Sequence, residues 1–182
     1  LPLHGAWLKN LDEARKKAAE EKKDVYLVFL STGISGACVQ FNERVLSEEM
    51  FQEAISDRFV HVLLDVPVKQ TPGMVSPLAA NRIVAEKFGV DRYPTTFYLN
   101  SKGVVYARET GGAINEPLKY AAKVIRRSKE QESRLKAVDE AYQKQGIERA
   151  KALVDLIKST PRGADPSLNA DLLEELAKLD PD

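Results

Sequence analysis

The chain has 182 residues, 43% of them apolar and 30% charged, with 27 basic and 27 acidic side chains that cancel to a net charge of zero. That size suits one domain with an appendage, and a neutral balance supplies no global field to gather nucleic acid or an anionic membrane. No apolar run approaches the ~18 residues of a membrane span, the single cysteine forms no internal disulfide, and a start at Leu1 fits either an exported, mature form or a piece trimmed from a longer chain.

Trp7 to Glu21 reads as an amphipathic helix. Leu8, Leu11, Ala14 and Ala18 recur at helical spacing, with Lys16, Lys17, Glu20 and Glu21 opposite. Asp12 and Glu13 at its start and Lys22 and Lys23 at its end suit the helix dipole. Trp7 is expected to pack rather than to bind a ligand. Asp24 to Ser31 is a continuous apolar strand, of the kind covered on both faces. The small-residue turn Thr32–Ala37 breaks it, and a helix follows from about Gly36 to Leu46. Ser47 is expected to cap a second helical segment, Glu48 to Asp57, that turns Met50, Phe51, Ala54 and Ile55 inward. Phe59 to Val66 is the second strand. His61 within it reads as a structural or surface residue, and neither His4 nor His61 has partners at metal-binding spacing. No metal and no cofactor is expected.

Pro67 to Pro77 is a loop rich in breakers, either shaping a site at the carboxyl end of its strand or a plain insertion. Leu78 to Phe88 reads as a helix closed by Gly89. Tyr93-Pro94 opens the strand Thr95–Leu99, Asn100 to Gly103 is a hairpin turn, and Val104 to Glu109 returns antiparallel. Gly111-Gly112 ends the hairpin. Asn115 is expected to cap a helix with Pro117 in its first turn and Leu118, Ala121, Ala122 and Ile125 on its apolar face. The order helix, β, α, β, α, β, β, α describes an α/β unit over residues 1–127. Residues 128–182 form a helical extension. Its three short stripes are Leu135, Val138 and Tyr142; Ile147, Ala150, Leu153, Val154 and Ile157; and Leu168, Leu172, Leu173, Leu176 and Leu179. Such stripes need cover from the core, from one another, from a partner or from a second copy.

Two separated motifs resemble the thioredoxin family, in the branch related to periplasmic disulfide reductases and isomerases. The first is Leu30-Ser31-Thr32-Gly33, then Ser35-Gly36-Ala37-Cys38, then Phe41 to Ser47. Members of that branch carry Phe-Thr-Gly, a short link, Trp-Cys-x-x-Cys and a helix with this apolar pattern. Anchored on Val45, Ser35 falls on the first cysteine and Cys38 on the second, while Ile34 takes the place of the tryptophan. The second motif runs from Phe88 to Phe97 through Tyr93-Pro94; in the family this proline is cis and faces the thiols. The resemblance covers roughly residues 6–127. It implies a thioredoxin fold, a central mixed four-stranded sheet flanked by helices, with the helical extension added. It also implies catalytic positions at Ser35 and Cys38, substrate-binding positions at Tyr93 and Pro94, a periplasmic or secreted bacterial setting, and protein or peptide thiols, disulfides or extended peptides as substrates.

Dithiol exchange needs an exposed thiolate to attack and a second thiol to resolve the mixed disulfide. Ser35 removes the attacking group, and a serine hydroxyl stays protonated without a base, none of which lies nearby in sequence. Three readings stay open. The protein is an oxidoreductase disabled by serine in place of cysteine at position 35, a redox-inert module that binds extended peptide by strand addition at the Tyr93–Pro94 edge, or a one-thiol protein that uses Cys38. Cys38 itself reads either as a functional thiol or as a small buried apolar residue.

Overall fold

A computed structural model describes residues 7–67, 77–111 and 115–179 of the chain. The elements in order are α1 (Leu11–Glu21), β1 (Asp24–Leu30), α2 (Gly36–Phe41), a π-turn (Asn42–Leu46), α3 (Glu49–Ser56), β2 (Phe59–Asp65), α4 (Pro77–Lys87), β3 (Thr95–Leu99), β4 (Val105–Thr110), α5 (Pro117–Gln143), α6 (Gly146–Lys158), a 3-10 turn (Pro166–Asn169) and α7 (Ala170–Leu179). The four strands form one mixed sheet in the order β2-β1-β3-β4. β1 pairs parallel with β2, Leu30 opposite Asp65, and antiparallel with β3; β3 pairs antiparallel with β4.

Burial explains why β1 reads as an unbroken apolar run. Val25 through Leu30 are all fully buried, because side chains alternate across a sheet that is covered twice. Tyr26, Val28 and Leu30 join Phe41, Val45, Phe51 and Tyr120 in the core under α2, α3 and α5. Val25, Leu27 and Phe29 join Leu11, Ala14, Ala18 and Val62 in the core under α1 and α4. The expected fold class, a four-stranded mixed sheet flanked by helices with further helices after it, is the one found.

Several element boundaries differ from the sequence reading. The first helix starts at Leu11, not Trp7, because the Asn10 side chain accepts from the amides of Asp12 and Glu13 and caps it there. Leu8 is instead extended beside β2: its amide donates to the His61 carbonyl at 2.9 Å, and the Leu63 amide donates to the Leu8 carbonyl at 3.0 Å. Trp7 packs against His61 and Tyr26, with its indole N–H on the Leu46 carbonyl at 2.9 Å. The second helix does not run straight to Leu46. It widens into the π-turn, closed by the Ser47 amide on the Asn42 carbonyl at 2.9 Å. Ser47 therefore closes the π-turn and does not cap α3; Glu48 occupies the N-cap of α3 without a side-chain bond, and Met50 is 49% exposed. Asn115 is likewise not the cap of α5, whose N-cap is Glu116 with Pro117 in its first turn. Gly89 and Gly103 adopt positive φ as the cap and hairpin need. Most of the Pro67–Pro77 loop lies outside the described residues.

α5 is one continuous helix of 27 residues, so the stripe Leu135, Val138 and Tyr142 belongs to it and not to a separate short helix. Beyond it the extension packs on itself: Ala141, Leu153, Leu156 and Leu172 form a third cluster with Val138, Tyr142, Ile157, Leu176 and Leu179. It also touches the sheet domain. The Asp165 amide donates to the Val105 carbonyl at 2.9 Å, and Leu168 packs on the core.

Candidate functional site

The turn after β1 is held by its neighbour strand. The Thr32 amide and hydroxyl both donate to the Asp65 carboxylate, at 2.9 and 2.5 Å, and the Ser31 hydroxyl donates to the Val66 carbonyl at 2.9 Å. Asn81 of α4 donates to the Asp65 carbonyl at 2.8 Å, so β1, β2 and α4 are tied together at the carboxyl edge of the sheet. The chain then reverses, with the Ser35 amide on the Ser31 carbonyl at 3.0 Å.

Ser35 sits in extended geometry as the N-cap of α2, and its hydroxyl accepts from the Cys38 amide at 3.2 Å. Its oxygen therefore satisfies one of the helix's unpaired donors. Cys38 lies one turn in and is fully buried, within the cluster of Tyr26, Leu30 and Phe41. Its sulfur accepts from the Ser31 amide at 3.4 Å. Ser35 and Cys38 are thus brought together, one as a cap and one as part of the core.

The second motif arrives from across the sheet. The Tyr93–Pro94 peptide is cis, Pro94 is buried, and its carbonyl accepts from the Gly111 amide at 2.9 Å. The Thr95 hydroxyl donates to the Arg92 carbonyl at 2.7 Å, which closes the turn before β3. Tyr93 is half-buried, and among the described residues its main-chain N–H and C=O have no hydrogen-bond partner. Burial pushes its phenol above the ordinary tyrosine range against the opposing pull of Arg82. Tyr93 and Ile34 line one cleft of about 250 Å³, together with Ser31, Val66, Arg82 and Val90. Ile34 is 65% exposed there, on the lip of the cleft. Arg82 donates to the Pro67 carbonyl from the far wall.

Three contributors escaped the sequence reading. Asp65 anchors the turn only through the β1–β2 register, which no local spacing reveals. Ile34 was noted for what it replaces, not for the apolar surface it offers. Arg82 carries no motif at all. Among the described residues no three metal-ligating side chains cluster, and no helix is long and apolar enough to cross a membrane.

Residues 11–125 match the family model of the thioredoxin-like domain. This chain belongs to the thioredoxin-like family. Among solved structures it is similar to the DsbH oxidoreductase, with a TM-score of 0.58 and 19% identity over 71% of this chain and 90% of that one. The DsbD C-terminal domain of Neisseria meningitidis in its oxidised form aligns at a TM-score of 0.48 and 17% identity, over 67% and 99% of the two chains. A disulphide isomerase from Xylella fastidiosa Temecula1 aligns at 0.47 and 17%, over 63% and 88%. No curated protein matches the chain. The DsbH likeness is one of fold. The site of this chain holds one sulfur, and that sulfur is inside the core.

Proposed function

We propose that this thioredoxin-like protein is a redox-inert module that binds extended polypeptide at the Tyr93–Pro94 edge, with Ser35 and Cys38 serving structure instead of thiol exchange. The observation that carries the reading is the pairing of roles at the motif. The residue in the attacking position caps the helix, and the lone sulfur is fully buried. A thiol must reach its disulfide in line to exchange with it, and no path to Cys38 exists without opening the core. Serine at position 35 has no base beside it among its hydrogen-bond partners, so acyl chemistry has no support either. What the site does offer is a main-chain N–H and C=O on Tyr93 with no hydrogen-bond partner among the described residues, a cleft beside it and the exposed Ile34. Those are the components of strand addition: backbone pairing for affinity and a pocket for alternate side chains.

The test uses an array of immobilised extended peptides probed with the intact protein and with Tyr93→Ala and Ile34→Asp. Wild type is expected to bind a subset rich in apolar residues, and each variant to lose about tenfold in affinity, roughly 1.4 kcal/mol. Insulin reduction by the wild-type protein, or binding that neither variant weakens, would contradict the reading. A disabled-oxidoreductase reading keeps one support, the three-residue spacing of Ser35 and Cys38 at a helix start. Ser35→Cys reducing insulin catalytically would favour it.

A further inference from the structure

The helical extension carries a second surface, remote from the Tyr93 cleft and independent of how that cleft is used. Between α6 and α7 runs a groove of about 760 Å³ floored by Ala150, Val154, Leu173 and Leu176. Leu173 is 51% exposed on it, and Ile147 extends the same apolar strip of α6 at 70% exposure. Helical geometry places Ile147, Ala150 and Val154 in one row and Glu148, Lys151, Asp155 and Lys158 along its flank. All four charged residues are exposed.

Glu148 and Lys151 approach each other at 3.8 Å within the helix, and the order of the four signs has a further symmetry. About residue 153 the signs reverse: Lys151 and Asp155 stand two positions to either side, and Glu148 and Lys158 stand five. In two antiparallel helices related by a twofold axis, each flank meets the same flank of the other helix. A residue ahead of the axis then faces the residue equally far behind it. The pattern therefore sets Lys151 against the partner's Asp155 and Glu148 against the partner's Lys158, and each pair occurs twice. Val154 lies next to the axis, and α7 of each copy flanks the joint with Leu173 and Leu176.

We infer that this face takes a second copy of the same chain, with α6 packed antiparallel on α6 about an axis near residue 153. The apolar strip supplies the burial and the reversed charges fix the register, as flank charges do in paired helices. An antiparallel pairing with its axis at residue 151 or 155 instead would set Lys151 or Asp155 against its own copy and is disfavoured.

Sedimentation of the full chain tests it, with circular dichroism to show that each variant is folded. The wild-type protein is expected to be dimeric at about 100 µM, a range that reads micromolar affinities. Val154→Glu, which puts two like charges beside the axis, is expected to leave a monomer. Lys151→Glu is expected to raise the dissociation constant about tenfold, and the swap Lys151→Asp with Asp155→Lys to restore it. A wild-type monomer at that concentration overturns the proposal. So does a dimer indifferent to Val154→Glu and Lys151→Glu. A swap that fails to restore the affinity lost in Lys151→Glu overturns the antiparallel register.

Discussion

Ser35 shows what a hydroxyl at the start of a helix does for structure. Its oxygen holds the first turn of α2 through the Cys38 amide. Ser35→Ala is expected to cost about 1 kcal/mol in denaturant unfolding, the usual worth of an N-cap, while Ser35→Asp retains the cap. At the opposite end of β1, Asp24 is half-buried and accepts from the Tyr106 hydroxyl at 2.8 Å. Burial raises its carboxyl to about 6, against the lowering effect of the Tyr106 bond; Glu132 adds to the rise and Arg58 opposes it. A pKa above the unfolded value means that the folded state holds this proton more tightly. The resulting stability is complete below about pH 4 and is lost as pH rises through about 6. The loss amounts to about 2–3 kcal/mol. Asp24→Asn, which still accepts from Tyr106, is expected to flatten that decline. Urea midpoints measured between those two pH values check it, and an unchanged slope would contradict it.

Among the elements, α5 does most to hold sheet and extension together. Glu109 of β4 is the clamp: its side chain is 8% exposed and receives Lys123 and Arg127, both at 2.7 Å. Burial alone would raise its carboxyl, but the bonds from Lys123 and Arg127 outweigh it and hold the carboxyl below the ordinary range. Glu109→Gln leaves two cations facing one neutral amide and is expected to cost about 2 kcal/mol, read by thermal or urea unfolding. The same helix explains what sequence reading mistook. Its core-facing row continues from Val124 into Ser128 and Gln131, both buried but polar, so the apolar period fades where the helix does not. Ser128 is accounted for only in three dimensions, since Arg58 donates to it and to Glu132. Strands were easier. β1 is a continuous apolar run, and the limits of β1, β2 and β3 in the fold fall within a residue of those read from sequence. Caps were the weak point, because Asn10, Ser47 and Asn115 look alike on paper and only Asn10 has amides within reach.

At the scale of the molecule, the chain is a twice-covered sheet with a small helical cluster built onto it. That cluster rests on few residues. Leu153 is fully buried at its centre, and Leu153→Ala is expected to cost about 3 kcal/mol. Hydrogen exchange should show the loss in α6 and α7 while β1 amides keep their protection; uniform loss across β1 would mean that the extension and the sheet unfold as one unit. The thioredoxin fold was legible because two motifs in the right order follow β1 and lead into β3. The character of the site was less so: the residue types at positions 35 and 38 are visible in sequence, but burial of the sulfur and the capping role of the hydroxyl depend on where α2 packs.

The absence of thiol chemistry that we propose for this site rests on one sulfur sealed in the core. It is tested most directly by the rate at which a maleimide labels Cys38 at neutral pH in the native protein, against the denatured protein as reference. Native labelling is expected only as fast as global opening exposes the core, slower than the denatured reaction by several orders of magnitude. Labelling of the folded protein at a rate near that of the denatured chain would contradict the account and return Cys38 to catalysis.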